Sequence, residues 1–285
     1  MNSKHYENFP VASWLCPPAQ RADVMALYRF ARTADDLADE GEASTQTRQE
    51  ALRRYRQDLR LCLSGGQPEG PWTQDVFAPL TASHARRHWP IALLEDLLDA
   101  FEQDLLVHRY ASRTEVLDYC RRSANPVGRL LLHLWGVKDP ASLRQSDAIC
   151  SALQLINFWQ DLSVDGPRQR LYAPLEDLQR HGVTAPELIG LRDSPAARAL
   201  IKDLCDWARA LMHEGASLPL QLGGRVGWEL RLVVQGGLRI LDKLENMQFA
   251  ALLQRPTLST WDWPLLLWRA GRMPATTALT AQEPA

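Results

Sequence analysis

The sequence of 285 residues lacks the features that mark several classes of protein. Its five cysteines are odd in number and form no CxxC pair, which argues against a disulfide framework. No stripe of basic residues with interleaved aromatics is present, so no nucleic-acid partner is expected. No apolar run approaches the roughly 20 residues that cross a bilayer, and the N-terminus has no apolar signal region. These absences predict a cytoplasmic protein with reduced thiols, and they leave open a peripheral contact with the inner membrane.

Helical periodicity is what the sequence has in quantity. Hydrophobic residues make up 46% of the chain, enough for a sizeable core, and they recur at helical spacing nearly throughout. No convincing strand pattern or internal repeat is present. We therefore predict one all-α domain over residues 1–272 and a disordered Ala/Thr/Pro-rich tail over 273–285. The predicted helices used below cover residues 19–40, 45–63, 142–163 and 225–253. A further long, apolar helix over 113–135 is expected to be interrupted at Asn125-Pro126.

A first acidic cluster lies near the end of the predicted helix 19–40. Asp35 and Asp39 are four residues apart and therefore share a face, with Arg32 and Tyr28 one and two turns earlier. The helix macrodipole disfavours anions at a C-terminal end by roughly 0.3–1 kcal/mol each. Either these carboxylates belong to a solvated helix end, or they have a use such as holding a metal ion.

A second cluster lies in the predicted helix 142–163 and just beyond it. Asn157, Asp161 and Asp165 recur at a spacing of four, so that on a continuous helix they would rise about 12 Å along one face. Their neighbours are apolar, and oxygen donors in such surroundings need a partner or a cation. Arg170 and Tyr172 follow in a loop that could cover phosphate oxygens. If both clusters face one cavity, they would hold several Mg²⁺ ions and, through them, a diphosphate.

Together these residues resemble the squalene/phytoene synthase family of prenyl synthases. The segments that carry the resemblance keep the family's order: residues 5–9 with His5 and Phe9, 28–40, 119–128, 154–165, 170–177 and 235–241. The resemblance implies an all-α isoprenoid (terpenoid) synthase fold, formed by a single helical domain around a central cavity. It also implies Mg²⁺ as the cofactor and an isoprenoid diphosphate as the substrate.

The resemblance assigns roles to individual residues. The residues expected to carry catalysis are Asp35, Asp39, Asp161, Asp165 and Tyr28. Those expected to bind the diphosphate are Arg32, His5, Phe9, Asn157, Arg170 and Tyr172. The expected metal ligands are Asp35, Asp39, Asn157, Asp161 and Asp165.

The amino-acid sequence of these segments most resembles the branch of the family that makes hydroxysqualene in bacterial hopanoid pathways. For that branch the substrate is presqualene diphosphate and the product is an alcohol. Two alternatives stay open: the joining of two farnesyl diphosphates to presqualene diphosphate or squalene, and a non-catalytic role as an assembly factor. The oligomeric state cannot be read from the sequence.

Two further features have two interpretations each. Dehydrosqualene-forming relatives carry a tyrosine where this chain has Gly236-Gly237, so the pair either permits close helix packing or leaves room for a water molecule beside the cation. Trp261, Trp263 and Trp268 either belong to the core or form an apolar surface that meets a membrane or a lipid substrate.

Overall fold

The computed structural model describes residues 16–273, and within this range the chain is helical, with no β-strand. The prediction of an all-α protein is therefore confirmed. The α-helices, in chain order, are α1 (Arg21–Asp39), α2 (Thr45–Leu63), α3 (Ala78–Arg87), α4 (Ile91–Asp104), α5 (Arg113–Ser123), α6 (Asn125–Leu134), α7 (Pro140–Gln160), α8 (Leu162–Asp165), α9 (Leu175–His181), α10 (Ala185–Ile189), α11 (Pro195–Gly215), α12 (Leu218–Leu222), α13 (Gly224–Asn246) and α14 (Trp263–Gly271). A π-helical turn, Thr73–Phe77, precedes α3.

Local chemistry explains where several of these helices begin. The Ser44 hydroxyl accepts a hydrogen bond from the Thr47 N–H at 3.2 Å and caps α2. The Asp139 carboxylate accepts one from the Ser142 N–H at 2.8 Å and caps α7. A side-chain oxygen placed in this way satisfies a backbone donor that has no partner inside the helix. Pro140 then occupies the first turn, where its missing N–H costs nothing.

Two hydrophobic clusters form the core. One is built by α1 to α4, the π-helical turn and Leu130 of α6, and it includes Phe30, Tyr55 and Phe77, all fully buried. The larger one surrounds α7, which packs against α5, α6, α11 and α13. Because α7 is surrounded in this way, most of its C-terminal half is buried, and that half leads directly into the second acidic cluster.

A cavity of about 390 Å³ lies between α1, α6, α7 and α13. Its wall is apolar apart from a few side chains such as Tyr28, Ser146 and Glu229. The helices contribute residues at helical spacing: Val24, Leu27, Tyr28 and Ala31 from α1, Val127, Gly128, Leu131 and Leu132 from α6, Ser146, Ile149, Cys150 and Leu153 from α7, and Val226, Glu229, Leu230 and Val233 from α13. The cavity is suited to a long hydrocarbon chain.

Prediction and structure differ at three elements. The helix predicted over 142–163 is interrupted at Asp161, where φ is −99° and ψ is 9°, so that α7 ends at Gln160 and α8 begins at Leu162. The helix predicted over 225–253 ends at Asn246. Helix α14 was not predicted, because its sequence is apolar on all sides up to Arg269 and shows no amphipathic period.

Candidate active site

The first acidic cluster continues the cavity-lining face of α1. Ala31 lines the cavity and Asp35 follows one turn later, so the carboxylates stand just beyond the apolar wall. The Arg32 guanidinium lies among them, 3.1 Å from Asp35 Oδ2 and 2.5 Å from Asp36 Oδ1. Part of the like-charge repulsion in the cluster is therefore offset by an arginine on the same helix.

The second cluster continues the corresponding face of α7. Leu153 lines the cavity, and Asn157 follows one turn later as an exposed residue between buried neighbours. The interruption of the helix changes the predicted arrangement, because Asp161 lies at the break and Asp165 lies on α8. The prediction that Asn157, Asp161 and Asp165 share one continuous helix is thus wrong. The physical reason is tertiary: the Asp161 carboxylate is held by Arg255, and the preceding Gln160 side chain donates to the Pro256 carbonyl at 2.7 Å.

The loop after α8 brings the two clusters together. The Arg170 Nη2 donates to Asp39 Oδ1 at 2.6 Å, and the Arg168 Nη1 lies 3.4 Å from Asp39 Oδ2. These contacts join residues about 130 positions apart in the sequence. Burial, followed by the nearby Asp161 charge, raises the pKa of Asp165 to about 7, and Asp39 adds to this shift. Carboxylates from both clusters therefore share one electrostatic site.

Asp104 at the end of α4 belongs to the same site, although the sequence analysis did not identify it. Its Oδ2 accepts a hydrogen bond from the Tyr119 hydroxyl at 2.8 Å, and its buried Oδ1 has no hydrogen-bond partner among residues 16–273. Burial is the main cause that raises its pKa to about 7, and the charges of Asp35 and Asp39 add to it. A signal was available: Asp104 ends an apolar helix, the position that also drew attention to Asp35.

An aromatic group lines the inner side of this site. The Tyr172 ring stacks on Phe158, with 3.8 Å between ring centroids and 4° between planes. Tyr110 and Tyr119 lie within about 6 Å of the same ring. Burial raises the pKa of the Tyr172 and Tyr119 hydroxyls well above their ordinary value, so both stay protonated and can donate hydrogen bonds.

Backbone hydrogen bonds fix the loop that carries Arg170 and Tyr172. The Leu171 N–H donates to the His108 carbonyl at 3.1 Å, and the Leu175 N–H donates to the Tyr110 carbonyl at 3.0 Å. Arg109 and Leu171 form an isolated parallel β-bridge. The position of Arg170 is therefore set by the connector between α4 and α5 as well as by its own loop.

The remaining predicted site residues are less closely joined. Tyr28 lines the cavity two turns before Asp35, as expected from its position on α1. His5 and Phe9 lie outside the described residues. Arg255, which pairs with Asp161, was not identified from the sequence, because nothing in its local surroundings distinguishes it.

The carboxylates of this site can be compared with the ligands that a divalent cation requires. Within residues 16–273, no three His, Cys, Asp or Glu side chains come together at the spacing of a metal site. In this structure Asp39 and Asp161 are instead paired with arginines. The raised pKa of Asp104 and Asp165, and the unpaired buried Asp104 Oδ1, nevertheless mark a place where negative charge is under-compensated. Carboxylate oxygens are the ligands that Mg²⁺ prefers, so these residues fit such an ion.

Gly237 serves helix packing. A Cβ at this position would lie 3.0 Å from Leu153 Cδ2 and from Met212 Cε, and 3.2 Å from Ile156 Cδ1. The glycine therefore lets α13 approach α7 and α11 closely. The alternative, that Gly237 itself opens space for water, is not supported, since Leu153 stands between it and the cavity.

Substitution of Gly237 is therefore expected to affect stability. Gly237→Tyr should lower the free energy of unfolding by about 3 kcal/mol, because the ring overpacks a dense interface. Gly237→Ala should change it by less than about 1 kcal/mol, because the atoms nearest its Cβ are the ends of flexible side chains and alanine is favoured over glycine inside a helix. Gly271→Ala is the matched control, since its Cβ would meet only Trp228, at 3.7 Å. Thermal denaturation of the three variants measures the difference. A Gly237→Tyr variant as stable as the wild type that released a hydrocarbon would contradict the packing role.

Comparison with known proteins assigns the chain to a family. The sequence model of the squalene/phytoene synthases matches residues 2–262. The chain is 34% identical over 242 residues to the hydroxysqualene synthase of Rhodopseudomonas palustris, and the aligned region covers 84% of this chain and 80% of that protein. It is 32% identical over 281 residues to the presqualene diphosphate synthase of Zymomonas mobilis, covering 94% and 89% of the two chains.

Solved structures agree. The crystal structure of squalene synthase HpnC from Alicyclobacillus acidocaldarius matches with a TM-score of 0.76 and 33% sequence identity, over 86% of this chain and 90% of that one. The predicted isoprenoid synthase fold is confirmed by this likeness together with the helical architecture. With the family model covering most of its length, this chain belongs to the squalene/phytoene synthase family.

Proposed function

We propose that this protein is a hydroxysqualene synthase, which converts presqualene diphosphate and water to hydroxysqualene and diphosphate with the help of Mg²⁺. The observation that carries the proposal is the contact of Arg170 with Asp39. It joins the loop after the second acidic cluster to the first cluster, at the end of the helix faces that line an apolar cavity. A diphosphate at the acidic end and a hydrocarbon in the cavity suit one and the same substrate.

The residues divide the work between the two parts of the substrate. Asp35, Asp39, Asn157, Asp161 and Asp165 would hold Mg²⁺, which neutralises charge on the departing diphosphate. Arg168 and Arg170 would turn from Asp39 to the phosphate oxygens, since guanidinium groups bind phosphate as they bind carboxylate. Arg32, within the first cluster, would add a further positive charge. His5 and Phe9 keep their proposed role in binding the diphosphate.

The cavity would govern what happens to the carbocation left after diphosphate departs. Its apolar wall excludes bulk water, so that the cation can rearrange before a single water molecule captures it. Tyr28 lies on this wall beneath the acidic cluster, where its ring can face the cation. Tyr172, held against Phe158, would separate the wet diphosphate site from the dry cavity. The proton that the captured water loses leaves with the diphosphate or with solvent.

A product assay tests the proposal. Purified protein would be incubated with Mg²⁺ and either presqualene diphosphate or farnesyl diphosphate, and the extracted lipids identified by mass spectrometry. Hydroxysqualene from presqualene diphosphate is the expected result. Presqualene diphosphate formed from farnesyl diphosphate would instead favour a second candidate function, that of a presqualene diphosphate synthase. This candidate rests on the similarity to the Zymomonas mobilis enzyme over 94% of this chain.

No reductant should be consumed. The sequence has no nucleotide-binding pattern: the Gly223-Gly224 and Gly236-Gly237 pairs fall at the start of and within helix α13, and neither follows a strand. We expect addition of NADPH to leave both the rate and the alcohol product unchanged. The measurement compares products and NADPH absorbance with and without the nucleotide. Squalene that appeared only in the presence of NADPH would favour reductive squalene synthesis.

A further inference from the structure

Helix α14 turns an apolar face to solvent. Its inward residues, Leu266 and Ala270, pack with Leu232 of α13 in a small cluster of their own. On the outward side, the exposed fraction is 55% for Trp268 and 52% for Leu267, and Trp261, in the 3₁₀ turn just before the helix, is 89% exposed. A helix at a protein surface normally carries polar residues there. Of the two interpretations of these tryptophans, the structure supports the apolar surface.

A large side chain of α13 extends this surface, which also includes Trp263, 39% exposed. Trp228 is 40% exposed, and its Cη2 atom lies 3.7 Å from where a Cβ on Gly271 would stand. The end of α14 and the start of α13 are therefore neighbours. We call the resulting area the tryptophan surface; it consists of Trp228, Trp261, Trp263, Leu267 and Trp268.

Arginines stand over the tryptophan surface. The Arg272 guanidinium lies 4.8 Å from the centroid of Trp268, and that of Arg231 lies 5.4 Å from the centroid of Trp228. The nearby acidic side chains are already paired: Asp262 is buried and contacts Arg239 and Lys243. Asp242 likewise contacts Arg209 and Arg269. The charge presented beside the tryptophans is therefore positive.

The tryptophan surface and the cavity lie on different faces of the same helix. Val226, Leu230 and Val233 of α13 line the cavity, whereas Trp228 and Leu232 face α14. A single layer of helix thus separates the exposed tryptophans from the space proposed for the hydrocarbon. No helix in residues 16–273 is long and apolar enough to cross a bilayer, so α14, with nine residues, could only lie along one.

We propose that the tryptophan surface docks the protein on a lipid bilayer that carries anionic headgroups. Indole rings favour the boundary between headgroups and acyl chains, because the ring is apolar and its N–H can reach water or a headgroup. Arginines beside them attract anionic lipids. The docking does not depend on the reaction proposed above. Only the purpose of the docking, which is to exchange a long-chain substrate and product with the bilayer, rests on that reaction.

Other occupants fit this surface less well. By composition, residues 274–285 offer one large apolar side chain, Leu279, which is little to match four tryptophans. A second copy of the chain would place the same positively charged patch against this one, and burying a guanidinium without a carboxylate is costly. A bilayer leaves the arginines at the level of the headgroups, where they stay solvated.

Sedimentation with vesicles tests the docking without any turnover. The wild type should bind vesicles of phosphatidylcholine with phosphatidylglycerol, and Trp261→Ser/Trp268→Ser should bind at least about tenfold more weakly, because two large apolar groups no longer enter the boundary. Arg272→Glu should weaken binding at least about fivefold on these vesicles and far less on phosphatidylcholine alone. Leu61→Ser, which removes an exposed leucine on α2, is the control and should bind as the wild type does.

Three results would overturn the proposal. The first is absence of wild-type binding, and the second is equal binding of the wild type and the double tryptophan variant. The third is a wild-type dimer, seen by light scattering, that the double variant converts to a monomer, because the surface would then be an interface between two copies. Thermal denaturation checks that each variant is folded, which is expected because the altered side chains are exposed. Since no substrate is present, a failure here leaves the proposed reaction untouched.

Discussion

Asp161→Asn is expected to lower the turnover of presqualene diphosphate at least about a hundredfold, and removal of Mg²⁺ with EDTA is expected to abolish it. A leaving diphosphate without its full metal coordination loses several kcal/mol of transition-state stabilisation. The change from carboxylate to amide keeps the shape of the side chain and removes the charge that the metal needs. Diphosphate release in a single assay, with Mg²⁺ varied, measures both effects.

Asp206→Asn provides the matched control. Asp206 makes an exposed ion pair with Lys202 on α11, at 2.5 Å, and does not contact the site. The same chemical change there should alter turnover less than about twofold, because an exposed pair is worth little. Full activity in EDTA, or equal effects of the two substitutions, would contradict the metal-assisted mechanism.

Asp104→Asn is expected to stabilise the metal-free protein at alkaline pH. The pKa of this carboxyl rises from 3.8 to about 7 on folding, mainly because it is buried. As the pH rises, the unfolded chain loses the proton first, so the folded state is destabilised progressively from about pH 4 to about pH 7 and by a constant amount above that. This loss in the free energy of unfolding is on the order of 4 kcal/mol at pH 8 and less than half of that at pH 5. An asparagine carries no charge at either pH, and its carbonyl can still accept the Tyr119 hydrogen bond.

Thermal denaturation in EDTA at the two pH values measures this difference. The melting temperature of Asp104→Asn should exceed that of the wild type by several degrees at pH 8, and by much less at pH 5. Asp99→Asn is the control, because Asp99 lies on the same helix, its side chain is half exposed, and its partner Arg56 keeps ion pairs with Glu95 and Glu102. If the difference in melting temperature between the variant and the wild type were the same at both pH values, Asp104 would be ionised in the folded protein at both, which would contradict the effect of its burial.

Local signals were enough to predict most helices. The helix predicted over 45–63 coincides with α2, because Ser44 caps one end and Ser64-Gly65 follows the other. The break expected at Asn125-Pro126 separates α5 from α6, since a proline cannot supply the N–H that a continuous helix needs. The two acidic clusters were found because carboxylates at a spacing of four are conspicuous on a helix.

What the sequence did not reveal depends on contacts between distant residues. The interruption at Asp161 involves Arg255, 94 positions further on, and no local rule connects the two. The end of α4 marks Asp104 as a candidate, but only the fold shows that it is buried near the charges of Asp35 and Asp39. The role of Gly237 likewise depends on Leu153 and Met212, which belong to other helices.

The β-bridge between Arg109 and Leu171 has a consequence for how this chain can vary in length. A loop at a protein surface usually accepts an inserted residue. In the connector between α4 and α5, one extra residue would either break the hydrogen bonds that Leu171 and Leu175 donate to it or shift the bridged residues by about one extended residue, roughly 3.3 Å. A displacement of this size would break the hydrogen bond between Arg170 Nη2 and Asp39 Oδ1, which is 2.6 Å long. The connector between α4 and α5 therefore acts as a fixed-length spacer, and an insertion in it would disturb the proposed diphosphate site by moving Arg170 away from Asp39.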